Sequence, residues 1–156
     1  MKILVIEDTE KNIDSAKSTL PGHDVTICTS IQTAFSTLRD GQQQFDVLLT
    51  DLFLPIGEFR GMVYPYSKPL GELPAGLVFA LKAVNLGMSV VIVTDTDHHK
   101  DWICTLLDLL YPDRSDSNRR IAYVEARNAT TGDYDNPTKD WGKAIEMADI
   151  PGLVLE

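Results

Sequence analysis

Short apolar runs that alternate with segments of helical period constrain this chain more than any other feature of its sequence. Lys2–Ile6 is a continuous apolar run bounded by charged residues, the pattern of a buried strand. Over 10–20 the apolar positions Ile13, Ala16 and Leu20 have helical spacing, and Pro21-Gly22 ends it. Asp24–Cys28 carries Val25 and Ile27 in alternation. Ser30 can cap a helix whose apolar face is Ile31, Ala34, Phe35 and Leu38. Val47–Thr50 reads as a third strand with Asp51 at its end. The helix that follows Pro74 would turn Leu77, Val78, Leu81 and Val84 inward and end near Gly87. Strands are expected at 89–93 and at Ile121–Glu125, with a helix over 100–110 between them. A last helix carries Trp141, Ala144, Ile145 and Ala148, and 128–136 reads as loop. Five strands alternating with five helices imply an α/β fold with a parallel sheet covered on both faces.

At 156 residues and 44% hydrophobic, the chain suits one compact domain with a core of its own. No run approaches the ~20 apolar residues needed to span a bilayer, so no membrane role is expected. The N-terminus lacks the features of a signal peptide, and a cytoplasmic location is the expectation. Two cysteines, Cys28 and Cys104, make neither a disulfide framework nor a zinc cluster. The net charge of -9, with Arg119-Arg120 as the one close basic pair, argues against nucleic acid as a partner.

Folds of this kind place their chemistry beyond the carboxyl ends of the strands. Glu7, Asp8 and Asp51 stand at two such ends, and Thr94 at a third. Three crowded carboxylates repel unless a cation neutralises them, and oxygen ligands suit a hard divalent ion, Mg2+ above all.

At these residues the chain resembles the receiver domain of two-component response regulators over nearly its whole length. The opening from Lys2 to Asp8 is similar to that family's first strand and acidic pair. The run from Phe45 to Pro55 resembles its phosphoacceptor segment, and Val91-Ile92-Val93-Thr94 its fourth strand with a switch hydroxyl. The resemblance implies a doubly wound, flavodoxin-like sheet of order 2-1-3-4-5 in a single domain over 1–156. It implies Asp51 as phosphoacceptor and Mg2+ held by Glu7, Asp8, Asp51 and the main-chain carbonyl of Phe53. Thr94 would be the switch hydroxyl and Tyr123 the aromatic switch. The implied partners are a histidine kinase or phosphotransfer protein and a downstream protein target, with output by binding rather than by enzymatic turnover.

Two departures stand out. Where the family has a lysine after its fifth strand this chain has Ala126, and the neighbouring Arg127 is the candidate substitute. Between Pro55 and Gly76 the chain carries an inserted loop, at about 56–75, with Phe59, Arg60, Tyr64, Tyr66 and Lys68. That loop could cover the pocket, supply the cation or bind a partner. Two other readings stay open. One is a pseudo-receiver that works as an interaction module without phosphorylation. The other is a Mg2+-dependent phosphohydrolase, although Phe53 stands where such an enzyme needs its second acid. His98-His99 could also bind a metal, and the tail Leu153-Val154-Leu155 could dock on the body or on another chain.

Overall fold

The computed structural model describes residues 1–39, 45–55, 72–95, 103, 107, 118–132 and 137–155. The first half runs β1 (Lys2–Ile6), α1 (Glu10–Thr19), β2 (Asp24–Cys28), α2 (Ile31–Arg39), β3 (Val47–Thr50) and β4 (Leu54–Pro55). The second half runs β5 (Glu72–Leu73), α3 (Ala75–Asn85), β6 (Ser89–Thr94) and β7 (Ile121–Glu125). A single 3-10 turn (Ala126–Asn128), β8 (Thr130–Thr131), β9 (Thr138–Lys139) and α4 (Trp141–Ala148) complete it. The expected insertion, the His98-His99 pair and Cys104 lie outside the described residues, apart from the return of the insertion at 72–75. Of the helix expected over 100–110, Ile103 and Leu107 are described, and both are helical and buried.

The apolar runs pair side by side in one parallel sheet of order β2-β1-β3-β6-β7. This is the order 2-1-3-4-5 of the sheet's own strands. The alternating strand side chains divide the core in two. Leu4, Ile6, Leu48, Val90 and Ile92 face α2 and α3. Ile3, Val5, Val47, Leu49, Val91 and Val93 face α1 and α4. All eleven are fully or almost fully buried, and each such side chain contributes roughly 1.5–3 kcal/mol of transfer free energy. Leu153 and Leu155 of the tail pack against the second cluster, so the tail docks on the body.

Helix ends follow local chemistry. Ser30 caps α2 as its residue type suggests: its Oγ accepts the Thr33 N–H at 3.2 Å, and Thr33 Oγ1 accepts the Ser30 N–H. Helix α3 ends in a Schellman motif. Gly87 takes φ +87°, its N–H bonds to the carbonyl of Val84, and the Met88 N–H bonds to that of Ala83. Asp140 caps α4 through the Lys143 N–H at 2.9 Å. At the other end of α4, buried Arg119 donates to the carbonyls of Ala148 and Asp149. Arg120 donates to the carbonyl of Gly87, so both arginines of the basic pair serve backbone carbonyls.

Two helix faces differ from the hydropathy pattern. On α2, Phe35 is half exposed, and the Lys82 ammonium lies 4.8 Å from its ring centroid. On α3, Val78 and Leu81 are exposed, while Ala75, Gly76, Phe79, Ala80 and Ala83 are buried. Apart from Phe79, the helix therefore turns its small residues to the sheet. The reason is a close approach: the Gly76 N–H donates to the carbonyl of Leu52 at 3.0 Å. A Cβ at position 76 would stand 1.9 Å from the carbonyl oxygen of Asp51. A larger side chain cannot fit there, so the face that seats α3 is chosen by size more than by hydropathy.

Gly76→Ala should accordingly cost about 3 kcal/mol, at the upper end of overpacking. Gly87→Ala meets nothing within 4 Å and should cost only about 1 kcal/mol for its left-handed backbone. Urea unfolding of both variants measures the difference, and equal losses would contradict this account of α3.

Candidate functional site

The ladder of the sheet carries the acidic residues to one edge. The Glu7 N–H bonds to the carbonyl of Cys28, and the Asp51 N–H to that of Ile6. Both residues thus prolong paired strands, β1 and β3, by one position. Glu7 is fully buried, Asp51 half buried and Asp8 exposed. One carboxylate oxygen from each of the three lies within 4.8 Å of the others.

The cation at this cluster is Lys139, on β9, far along the chain from the end of β7. Its Nζ donates to Glu7 Oε2 at 2.9 Å and to Asp51 Oδ2 at 2.5 Å, and the side chain is 1% exposed. The other Glu7 oxygen accepts the Thr9 N–H at 3.0 Å. Asp51 Oδ1 accepts a long bond from the Phe53 N–H at 3.4 Å. Arg127, the substitute expected from its place after β7, does not take this role. Its Nε pairs with Glu125, and its side chain is 63% exposed. Glu125 draws it away, being nearly buried, level with Thr94 on β6, and reached also by the Tyr123 hydroxyl at 3.5 Å. Thr94 is buried at the end of β6, and Tyr123 is half buried on β7.

Sequence reasoning missed Lys139 because it was sought next to the fifth strand of the sheet. The segment 128–136, read as loop, contains a strand instead: β8 pairs antiparallel with β9, Thr130 opposite Lys139. A signal was present all the same. Helix α1 buries the polar Asn12 and Ser15 beside Ala16, and those two hold the backbone of Lys139.

The electrostatics follow from crowding. Burial raises the Asp51 carboxyl, Lys139 pulls it back down, and Glu7 and Asp95 push it up, which together leave it at about 6. Burial disfavours the Lys139 ammonium. The charges of Asp51 and Glu7 and their hydrogen bonds outweigh that penalty and hold Lys139 above the ordinary lysine value. Glu7, Asp8 and Asp51 each offer a carboxylate oxygen to this one place, beside the Lys139 ammonium. The donor set is all oxygen, as a hard ion such as Mg2+ requires.

Solved structures share this architecture. A response regulator receiver domain protein from Methanospirillum hungatei is 16% identical, with a TM-score of 0.52, over 80% of this chain and 79% of its own. A receiver domain protein from Clostridium thermocellum is 20% identical, TM-score 0.52, over 95% of this chain and 93% of its own. The N-terminal domain of a response regulator/sensory box/GGDEF three-domain protein from Carboxydothermus hydrogenoformans is 17% identical, TM-score 0.56, over 96% and 94%. The fold is that of a response-regulator receiver domain. No protein-family model and no curated protein matches the sequence. In this receiver fold the acidic cluster lies at the carboxyl edge of the sheet, where β1 and β3 end. No helix among the described residues is long and apolar enough to cross a membrane.

The raised Asp51 value sets a pH dependence. A free carboxyl ionises near 3.8, so between about 4 and 6 the unfolded chain releases a proton that the native chain keeps. Native stability in chelator should fall by about 3 kcal/mol across that window and stay level above it. Asp51→Asn, which cannot ionise, should exceed the wild type by a similar margin at pH 7.5, with the gap closing toward pH 4. Urea unfolding in EDTA at a series of pH values measures it, and a gap independent of pH would contradict the assignment.

Proposed function

We propose that the chain is a phosphorylation-dependent signalling module that accepts a phosphoryl group at Asp51 with Mg2+ bound and so switches its binding to another protein. The observation that carries this reading is the buried Lys139 ammonium, 2.5 Å from Asp51 Oδ2 and shared with Glu7. Glu7, Asp8, Asp51 and the main-chain carbonyl of Phe53 would hold Mg2+, whose contribution is to neutralise the oxygens of the transferring group. Asp51 is the nucleophile. Its carboxylate oxygen forms a bond to phosphorus as the P–N bond of a phosphohistidine breaks, and the leaving imidazole nitrogen takes a proton from water. The donor is a histidine kinase or phosphotransfer protein, and the reaction is stoichiometric transfer in the cytoplasm rather than turnover.

Lys139 would exchange its bond to Asp51 for one to a phosphoryl oxygen, the charge-assisted donor that phosphoryl transfer needs. Thr94 would then bond to the phosphorylated Asp51 and Tyr123 follow it inward, which changes the surface at β7. Arg127 takes no part in this scheme, because Glu125 holds it. A missing cation beside Asp51 would favour a pseudo-receiver, and the Lys139 ammonium at Asp51 supports the phosphoacceptor reading instead.

An amide NMR titration with Mg2+ and then beryllofluoride, a stable phosphoryl mimic, tests the reading. Mg2+ should shift Glu7, Asp8 and Asp51, and the mimic should extend the shifts to Thr94 and Tyr123, with neither series in Asp51→Asn. Lys139→Met should slow phosphoryl uptake from acetyl phosphate by about 100-fold, as for loss of one preorganised donor. No saturable response to either ligand would overturn the phosphoacceptor reading.

A further inference from the structure

Lys139 sits on a two-residue ladder outside the five-stranded sheet, so the hydrogen bonds of that sheet do not set its position. Helix α1 does. Asn12 Oδ1 accepts the backbone N–H of Lys139 at 3.1 Å, and the Ser15 hydroxyl donates to the Lys139 carbonyl at 2.5 Å. Asn12 and Ser15 are both buried and lie one turn apart, so they present to one side of the helix. They grip the two backbone polar groups of one residue and leave its side chain to reach the acids.

The neighbouring contacts prevent sliding. Trp141 is fully buried, and its indole N–H donates to the carbonyl of Asn12 at 2.9 Å. The Lys139 ammonium lies 5.6 Å from the Trp141 ring centroid. At the start of α4, a Cβ on Gly142 would stand 2.5 Å from the carbonyl oxygen of Thr19, so α4 is pressed against the end of α1. A one-residue slip of this segment would bring Thr138 or Asp140 to the place of Lys139. The first offers no charge, and the second adds a carboxylate beside Glu7 and Asp51.

We propose that Asn12 and Ser15 are positioning residues for phosphoryl transfer: they fix the register and reach of Lys139, the cation of the Asp51 site. The proposal rests on the reading of Asp51 as phosphoacceptor with Lys139 as its cation. In a sheet-borne arrangement the strand ladder would locate such a lysine; in this chain two side chains of a helix supply the same constraint. Displacement of a positioned group by about 1 Å costs up to about 100-fold in rate. Loss of either grip should therefore appear in the rate of transfer rather than in Mg2+ affinity.

The test is a double-mutant cycle on the full chain, with acetyl phosphate as donor and Mg2+ varied to saturation. Ser15→Ala should lower the maximal rate of phosphoryl uptake about tenfold and leave the half-saturating Mg2+ concentration within about twofold. In the Lys139→Met background the same substitution should change the rate by less than about twofold, because no ammonium remains to be positioned. Asn12→Ala is the second probe and should show the same dependence on Lys139. An equal slowing by Ser15→Ala in both backgrounds would overturn the proposal, since a general loss of structure does not depend on the ammonium. A Lys139→Met rate equal to that of the wild type would instead overturn the reading beneath it, whatever Ser15→Ala does.

Discussion

The Lys139 ammonium, shared between Glu7 and Asp51, is the interaction on which the acidic edge of this protein depends. Two carboxylates brought from adjacent strands into a water-poor place repel each other, and each forfeits hydration. A single cation inserted between them offsets both costs, but only with good geometry and its other donors and neighbours in place. That requirement joins distant parts of the chain. β1 and β3 bring the acids, β9 brings the lysine, α1 holds its backbone, and the first residue of α4 closes over it. The contact is therefore as much a tertiary constraint on the C-terminal third of the chain as a feature of the site.

The same contact does not bring Asp51 back to the ordinary carboxylate range. Burial of the carboxyl outweighs the pull of the Lys139 ammonium, and the charges of Glu7 and Asp95 add to the effect of burial. Asp51 therefore holds a proton up to about pH 6. The group proposed as nucleophile thus favours its neutral form more than a free carboxyl does.

Much of the fold was legible in the sequence. β1, β2, β3 and β7 fall where their apolar runs predict, as does the buried face of α4. The acids at the strand ends were legible for the same reason, since the strand period and a parallel sheet determine where those residues go. What hydropathy did not reveal has identifiable causes. The seating of α3 depends on steric clearance at Gly76, a quantity that apolar periodicity does not encode. Phe35 stays half exposed on α2, with the Lys82 ammonium over its ring. Lys139 was hidden because a side chain's place in the site depends on tertiary reach, and here the reach comes from a short ladder of two residues per strand. Polar residues on the inner face of α1 were its only local trace.

The ladder between β4 and β5 has a consequence of a different kind. Leu54 pairs with Leu73 and Pro55 with Glu72, so the two ends of the segment 56–71 are tied together within one strand spacing. Directly beyond that tie, Gly76 anchors on Leu52. The entropy of closing the excursion is met at this neck, and it grows only with the logarithm of length, about 0.6 kcal/mol for each doubling. Whatever the length of 56–71, its ends return to the chain at one fixed spacing, next to the backbone that carries Asp51.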